Sequence, residues 1–204
     1  MTVDTQEHAP KIGRPKAFDQ EEVLEKAMVL FFRKGYESTS VQDLVDAMGI
    51  NRFSLYDTFG DKHSLFLQAL DRYHRNRRAA TLELFADPGP SLAILRRYFE
   101  NILADARAFK PCGCMIINSA VELARDDPET AAMVTRHFTL LEEMFCTALE
   151  VARENGEITT KRDLRAIARF LLNSARGLRI IVTYAVDDQV VEDIVSTTFS
   201  VLND

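Results

Sequence analysis

The chain has 204 residues, of which 47% are hydrophobic and 27% charged, a composition typical of a globular protein with a buried core. No apolar run approaches the ~20 residues that cross a bilayer, and residues 1–10 are too polar and acidic for a secretory signal. Three cysteines, an odd count, predict no disulfide framework, so we expect a protein of the reducing cytoplasm. The net charge of −6 argues against a protein that coats nucleic acid without specificity, but it permits a local basic face.

The N-terminal part of the chain is predicted to hold a flexible basic arm, residues 1–17, followed by three short helices. We expect the first helix to end at Gly35 in a left-handed C-cap. Thr39 or Ser40 begins the second helix, with an acidic capping-box partner a few residues later. Asn51 is the candidate N-cap of the third. All three helices carry apolar residues at three- and four-residue steps.

A long fourth helix is predicted from Lys62 to about Phe85, and the run Asp87-Pro88-Gly89-Pro90 then marks a connection between domains. Five further helical patterns follow, at about 91–108, 114–125, 128–155, 161–185 and 188–202. No segment shows the two-residue period of a strand. We therefore predict an all-α fold of about nine helices, with a head at 18–66, a connecting helix to about residue 86, and a larger body at 87–204.

The stretch from Ser38 to Phe66 has the spacing of a helix-turn-helix. Gly49 supplies the turn between two helices, as that motif requires. The second helix buries Leu55 and Phe59 and turns its polar residues outward. On spacing alone, a generic helical hairpin explains the pattern equally well.

The amino-acid sequence of this stretch is similar to that of the TetR (tetracycline-repressor-like) family. The resemblance covers residues 18–66 densely and is carried by Gly35-Tyr36, Thr39, Gly49-Ile50, Leu55-Tyr56, Phe59, Lys62 and Leu65-Phe66. The rest of the chain matches in architecture alone. The resemblance implies a homodimer that binds double-stranded, palindromic operator DNA and represses transcription until an unidentified small-molecule effector releases it.

Carried over position by position, the resemblance assigns contacts with DNA bases to Asn51, Arg52, Phe53 and Ser54. Arginine can bind guanine through two hydrogen bonds, and asparagine can do the same for adenine. Phe53 departs from the family pattern, which commonly has a small residue or proline there. Contact with a thymine methyl group and packing against a neighbouring helix both remain open for this side chain.

The resemblance also assigns contacts with DNA phosphates, to Ser40, Gln42, Tyr56 and Lys62. A lysine at a helix N-terminus suits an anionic oxygen electrostatically. The alternative for Tyr56 is a half-buried core aromatic, and the alternative for Lys62 is a solvated surface lysine.

Two further clusters of basic residues occur in the sequence. The arm resembles basic arms that enter the minor groove through side chains such as Lys11, Arg14 and Lys16, and a solubilising tail is its alternative. A solvated or salt-bridged helix face is the favoured interpretation of the cluster Arg72, Arg75, Arg77 and Arg78.

The body is expected to bind the effector through an apolar pocket with a few polar groups. The candidate residues are Tyr98, Phe99, Ile102, Met115, Asn118, His137, Phe138, Leu141, Asn173 and Arg176. For each of them, ordinary helix packing is the alternative. The last two helices are expected to form the dimer interface, through Gly177, Ile180, Ile181, Tyr184, Val195 and Phe199.

Cys112 and Cys114 open a predicted helix, where the positive end of the helix dipole favours a thiolate. They raise an alternative function, a thiol- or metal-responsive repressor with His137 or Cys146 as a further ligand. The structural alternative is that both cysteines only pack against neighbouring residues. A helical enzyme is the third class considered. No phosphate-binding glycine loop, His-Glu-x-x-His zinc motif or nucleophile elbow occurs, so we expect no enzyme activity, cofactor or structural metal.

Overall fold

In the computed structural model, which describes residues 18–108, 113–184 and 187–203, the chain is built from helices joined by short loops. The helices within those ranges are α1 Gln20–Lys34, α2 Val41–Met48, α3 Arg52–Phe59, α4 Lys62–Phe85, α5 Ser91–Ala108, α6 Met115–Glu122, α7 Pro128–Glu154, α8 Leu164–Ile181 and α9 Asp188–Ser200. The described residues contain no strand, and the prediction of an all-α fold is confirmed. The predicted arm, with Lys11, Arg14 and Lys16, lies outside the described residues.

The start of α2 shows which of two candidate residues caps it. The Ser40 side chain accepts a hydrogen bond from the Asp43 backbone N–H, and the Asp43 carboxylate accepts one from the Ser40 N–H. This is a reciprocal capping box, which satisfies two otherwise unpaired donors. Thr39 instead donates its hydroxyl to the carbonyl of Gly35, over 2.6 Å, and is fully buried.

The end of α1 differs from the prediction in its backbone conformation. Gly35 has a positive φ of 79°, but its ψ of 172° is extended rather than left-handed helical. The reason lies in α6, because the Glu122 carboxylate accepts hydrogen bonds from the backbone N–H groups of Tyr36 (3.0 Å) and Glu37 (2.8 Å). A Cβ atom at position 35 would lie 3.1 Å from the Glu122 oxygens. Glycine therefore meets both a backbone and a space requirement here.

Helix α8 is shorter than the predicted 161–185. It begins at Leu164, because Asp163 caps it by accepting a hydrogen bond from the Arg165 N–H. Just before it, the N–H groups of Thr159 and Thr160 donate to the carbonyl of Leu202. The segment after α7 is thus tied to the C-terminal end of the chain instead of continuing a helix.

Two apolar cores hold the helices together, and the head core extends beyond the predicted head. Phe31, Leu44 and Phe66 are among its fully buried members. Ile116 of α6 and Val134 of α7 pack into the same cluster. The second core lies within the body and is centred on buried side chains of α5, α7 and α8. The run at 87–90 therefore separates helices but does not separate the head core from the body.

A pair of histidines joins α4 to α7 inside the protein. His74 and His137 are buried, and their Nδ1 atoms lie 3.0 Å apart. Burial lowers the pKa of His74, and the positive charges of Arg136 and Arg78 lower it further. Burial also lowers the pKa of His137, to about 3, with a further contribution from His74. Both rings are therefore neutral near pH 7.

The buried histidine pair predicts a loss of stability on acidification. The pKa of each ring is lower in the folded than in the unfolded chain, whose histidines titrate near ~6.5. The unfolded chain therefore takes up protons first, and the stabilisation present above that pH is lost as the pH falls. Between pH 7 and 5.5 we expect the free energy of unfolding to fall by about 1 kcal/mol through His137, whose folded pKa of about 3 lies well below this range, and to fall further through His74. Urea denaturation across this range measures it.

Two variants control this experiment. His137→Gln should remove about 1 kcal/mol of this loss, whereas His63→Gln, at a partly exposed histidine beside Asp127, should retain it. A wild-type protein equally stable at pH 7 and pH 5.5 would contradict the buried neutral pair.

The Glu122 contact predicts a second, local contribution to stability. Glu122→Ala removes both hydrogen bonds to the turn after α1, and because this site is exposed we expect a loss of about 1 kcal/mol. Glu143→Ala, at an exposed acid in the middle of α7, should change stability by less than about 0.5 kcal/mol. Urea denaturation of both variants provides the comparison, and equal stability would show that the carboxylate does not hold the head.

Candidate functional site

Helix α3 presents its N-terminal residues to solvent from a well-packed base. Leu55 and Phe59 are buried in the head core, and Gly49, in the left-handed conformation with φ 68°, makes the turn before the helix. On the outer side, Arg52 is exposed and Phe53 is 79% exposed. The Phe53 ring is therefore not covered by a neighbouring helix, which favours the interpretation as a contact with a thymine methyl group.

The other candidate base-contacting residues are ordered by contacts within α3. The Asn51 Oδ1 accepts a hydrogen bond from the Ser54 N–H over 2.8 Å and so caps the helix. An amide oxygen has two lone pairs, so this cap leaves room for a contact with adenine. Arg52 reaches back to Tyr56, with 3.5 Å between its Nη2 and the tyrosine hydroxyl. Tyr56 is 43% exposed, which keeps its hydroxyl within reach of a ligand.

The candidate phosphate-binding residues start the helices beside α3 and have partners within the head. The Ser40 hydroxyl donates to Asp43 over 2.7 Å. The Gln42 amide donates to Asp46 over 2.8 Å. Lys62, the first residue of α4, has its Nζ 4.2 Å from the centre of the Tyr36 ring. A phosphate at these helix N-termini would therefore compete with carboxylates for Ser40 and Gln42, whereas Lys62 is held by an aromatic face that leaves its charge uncompensated.

A cavity of about 160 Å³ lies between α4, α5, α7 and α8, beside the start of α6. Its apolar wall consists of Ala80, Leu84, Ala104 and Leu141. Its polar wall consists of Arg77, Thr81, Tyr98, Asn101, Asp105, Cys114, His137 and Arg179. Small-molecule sites combine apolar surface with converging polar groups, and this cavity has both, with polar residues in the majority.

The candidate effector-binding residues fall into distinct places. Tyr98, His137 and Leu141 line the cavity. Phe99 and Ile102 are buried in the body core, and Met115 is buried in the head core. Asn118 and Asn173 are exposed. Phe138 and Arg176 pack on each other, with the guanidinium carbon 3.9 Å from the ring centre, and neither lines the cavity.

Most of the cavity's polar residues are not among the candidate effector-binding residues. Arg77 was grouped with a surface cluster, and in the structure Arg72 and Arg75 do form ion pairs, with Glu21, Glu25 and Asp71. Arg77 also forms an ion pair, with Asp105 over 2.7 Å, but it lines the cavity. The sequence does contain a signal for a polar site on α5, because Asn101 and Asp105 place polar groups at helical spacing along the otherwise apolar face of this helix.

The cysteines are separated in the structure. Cys114 is buried and lines the cavity. Cys146 is buried where α7 meets the start of α8, in a different surface pocket. Cys112 lies outside the described residues. Among the described residues, the group that could share a metal ion is His63, Asp127 and Glu129, at the starts of α4 and α7.

The candidate dimer residues lie mostly on one face of α8. Ile180 is 52% exposed and Tyr184, just after α8, is 61% exposed. Gly177 and Ile181 are half-buried on the same helix, and Val195 is half-buried on α9. Phe199, in contrast, is buried within the protomer, with its ring centre 5.2 Å from that of Phe99. No described helix is both long and apolar enough to cross a membrane.

Comparisons with known proteins agree with this architecture. Residues 23–69 match the family model described as "Bacterial regulatory proteins, tetR family", and residues 91–197 match the "Tetracyclin repressor-like, C-terminal domain". An uncharacterised HTH-type transcriptional regulator of Bacillus subtilis, YezE, is 39% identical over 94% of this chain and 100% of its own length. The HTH-type transcriptional repressor ComR of Escherichia coli is 37% identical over 82% of this chain and 81% of its own.

A solved structure shows the same fold. A cysteine variant of the TetR family regulator CifR, in complex with 26-base-pair double-strand operator DNA, superposes with a TM-score of 0.69 at 24% identity, covering 93% of this chain and 98% of that one. At this level of identity the likeness concerns the fold. With the two family models and the extended similarity to the relatives, it shows that the chain belongs to the TetR family of bacterial transcription regulators.

Proposed function

We propose that the protein is a homodimeric repressor in which α3 of each copy lies in the major groove of a palindromic operator. The observation that carries this proposal is the solvent-facing start of α3, where Arg52 and Phe53 project from a helix anchored by Leu55 and Phe59. The flanking N-termini of α2 and α4 suit the sugar-phosphate backbone on either side. The operator complex of CifR supports the same use of this fold.

The effector is proposed to act through α4, because this helix reaches both sites. It starts at Lys62 beside α3, and four of its residues from Arg77 onward line the cavity. At ~1.5 Å per residue, Lys62 and Arg77 are about 22 Å apart along the helix axis. A ligand that fits the cavity better in one position of α4 changes the separation of the two heads. That separation must match half-sites about 34–36 Å apart, or a multiple of that distance.

A thiol-responsive repressor on the same scaffold is the second candidate, and one observation favours it. Cys114 lines the proposed effector cavity instead of being packed away from it. Oxidation or alkylation of this thiol would therefore place new atoms in the same space that a ligand fills. The two candidates differ in whether an oxidant alone releases the wild-type protein from DNA. Like its regulator relatives, the protein is proposed to be a cytoplasmic non-enzyme.

Two substitutions separate contacts with bases from contacts with phosphates. Arg52→Ala should relax the preference at one base pair of each half-site and cost on the order of 1–3 kcal/mol there. Lys62→Ala should weaken binding about equally on all sequences and lower the salt slope by about one. Fluorescence anisotropy with promoter fragments and single-base variants, at several salt concentrations, measures both. Identical behaviour of the two variants would refute this division, and a wild-type protein without any duplex preference would refute DNA binding itself.

The dimer proposal is tested at the exposed face of α8. Ile180→Asp places a charge on both sides of a two-fold interface, so we expect at least tenfold weaker dimerisation and a corresponding loss of operator binding. Val121→Asp is the matched control, since Val121 is 83% exposed on α6, a helix that packs mainly against α4 and α7. Sedimentation velocity over a concentration series gives the assembly state. If both variants remain dimeric like the wild type, the α8 face is not the interface.

A further inference from the structure

The cavity contains an imbalance of charge. Arg77 of α4 and Arg179 of α8 both line it, and Asp105 of α5 is the one acid among its described lining residues. His137 adds no positive charge near neutral pH, because burial lowers its pKa to about 3. The described wall thus carries one more positive than negative group.

The two arginines share a single carboxylate oxygen unequally. Arg77 Nη2 lies 2.7 Å from Asp105 Oδ2, and its Nε donates to the Tyr73 hydroxyl over 3.2 Å. Arg179 Nη1 lies 3.6 Å from the same Oδ2, too far for a good hydrogen bond. The other described partner of Arg179 is the ring of Tyr98, whose centre is 5.9 Å from the guanidinium carbon. With its side chain only 14% exposed, Arg179 is a nearly buried cation whose one carboxylate contact among the described residues is this long one.

A buried cation of this kind is costly unless an anion completes it. Beside these charged groups, Ala80, Leu84 and Leu141 supply apolar surface to the cavity wall. The volume of about 160 Å³ is close to that of a cavity of ~150 Å³ that binds benzene. The space therefore suits a compact molecule with one negative group and a short apolar body.

We propose that the cavity binds a small organic monoanion, a carboxylate of about six to ten non-hydrogen atoms, whose carboxylate pairs with Arg179 and its apolar body with the leucines. A phosphate dianion is disfavoured, because it would overcompensate the single excess charge and leave the apolar wall unused. As a regulatory step this inference rests on the proposed function, whereas the binding itself does not.

The same contact offers a route from ligand to head. The Arg77–Asp105 ion pair joins α4 to α5. A carboxylate beside Arg179 competes with Asp105 for the Arg77 guanidinium, because both acceptors are anions. Weakening this pair changes how α4 is held against α5, and α4 carries Lys62 at its other end.

The test uses the full-length protein without DNA and pairs of matched probes. Isothermal titration calorimetry compares butyrate, hexanoate, cyclohexanecarboxylate and benzoate with their primary amides, which have the same shape and no charge. At least one carboxylate should bind at least tenfold more tightly than its amide, about 1.4 kcal/mol. If no carboxylate binds, or if the amides or an amine such as benzylamine bind equally well or better, the inference is wrong.

Three variants locate the contact. Arg179→Gln should abolish the preference for carboxylate over amide. Arg176→Gln, three residues earlier on α8 and outside the cavity lining, should retain it. Asp105→Asn removes the competing acceptor and should increase carboxylate affinity severalfold, so a folding defect in Arg179→Gln does not leave the question open. Loss of the preference in Arg176→Gln alone, or weaker carboxylate binding by Asp105→Asn, would overturn the assignment.

Operator binding is measured separately, with a promoter fragment in carboxylate-free buffer. A protein that binds DNA but shows no preference for carboxylates refutes this inference alone. A protein that prefers carboxylates but binds no duplex refutes the proposed function alone.

Discussion

The whole molecule depends on the packing of α4 into a different apolar core at each of its two ends. Its first half supplies Leu65, Phe66 and Leu70 to the core of the head. Its last turns place Leu84 and Phe85 against the core of the body. The eight-residue helices α2 and α3 are too short to be stable in isolation. They acquire a fixed orientation because α4 and α1 give them an apolar surface to pack on, and that orientation is what presents the outer face of α3.

Much of the fold could be predicted from local patterns. The α4 boundaries at Lys62 and Phe85 agree with the prediction, because an aspartate cap and a proline-rich run mark its ends. The helix starts in the head could be predicted equally well, since their caps are local hydrogen bonds, such as the one between Ser40 and Asp43. The extended conformation of Gly35 could not be predicted, because the turn is held by Glu122, which is more than eighty residues away in the sequence.

The lining of the cavity was harder to predict for a related physical reason. Hydrophobic periodicity identifies the buried face of a helix, but it does not distinguish side chains that fill a core from those that line a space within it. Phe99 and Tyr98 are neighbours with similar character, and only Tyr98 lines the cavity. Arg77 and Arg179 were missed for the opposite reason, because they are charged residues that line a buried space. Charged residues are usually solvated, so their burial follows from the packing of three helices, which a single helical pattern does not contain.

The contact between Glu122 and the turn after α1 makes few demands on the side chains of that turn. Glu122 holds the turn after α1 through main-chain N–H groups, not through the side chains of Tyr36 and Glu37. Every amino acid except proline offers the same donor. Substitution of Tyr36 or Glu37 by any residue other than proline therefore leaves both donors in place. The head is thus joined to the body in two ways: by the side-chain packing of Ile116 and Val134 in the head core, and at this turn by a contact that does not depend on the side chains it holds.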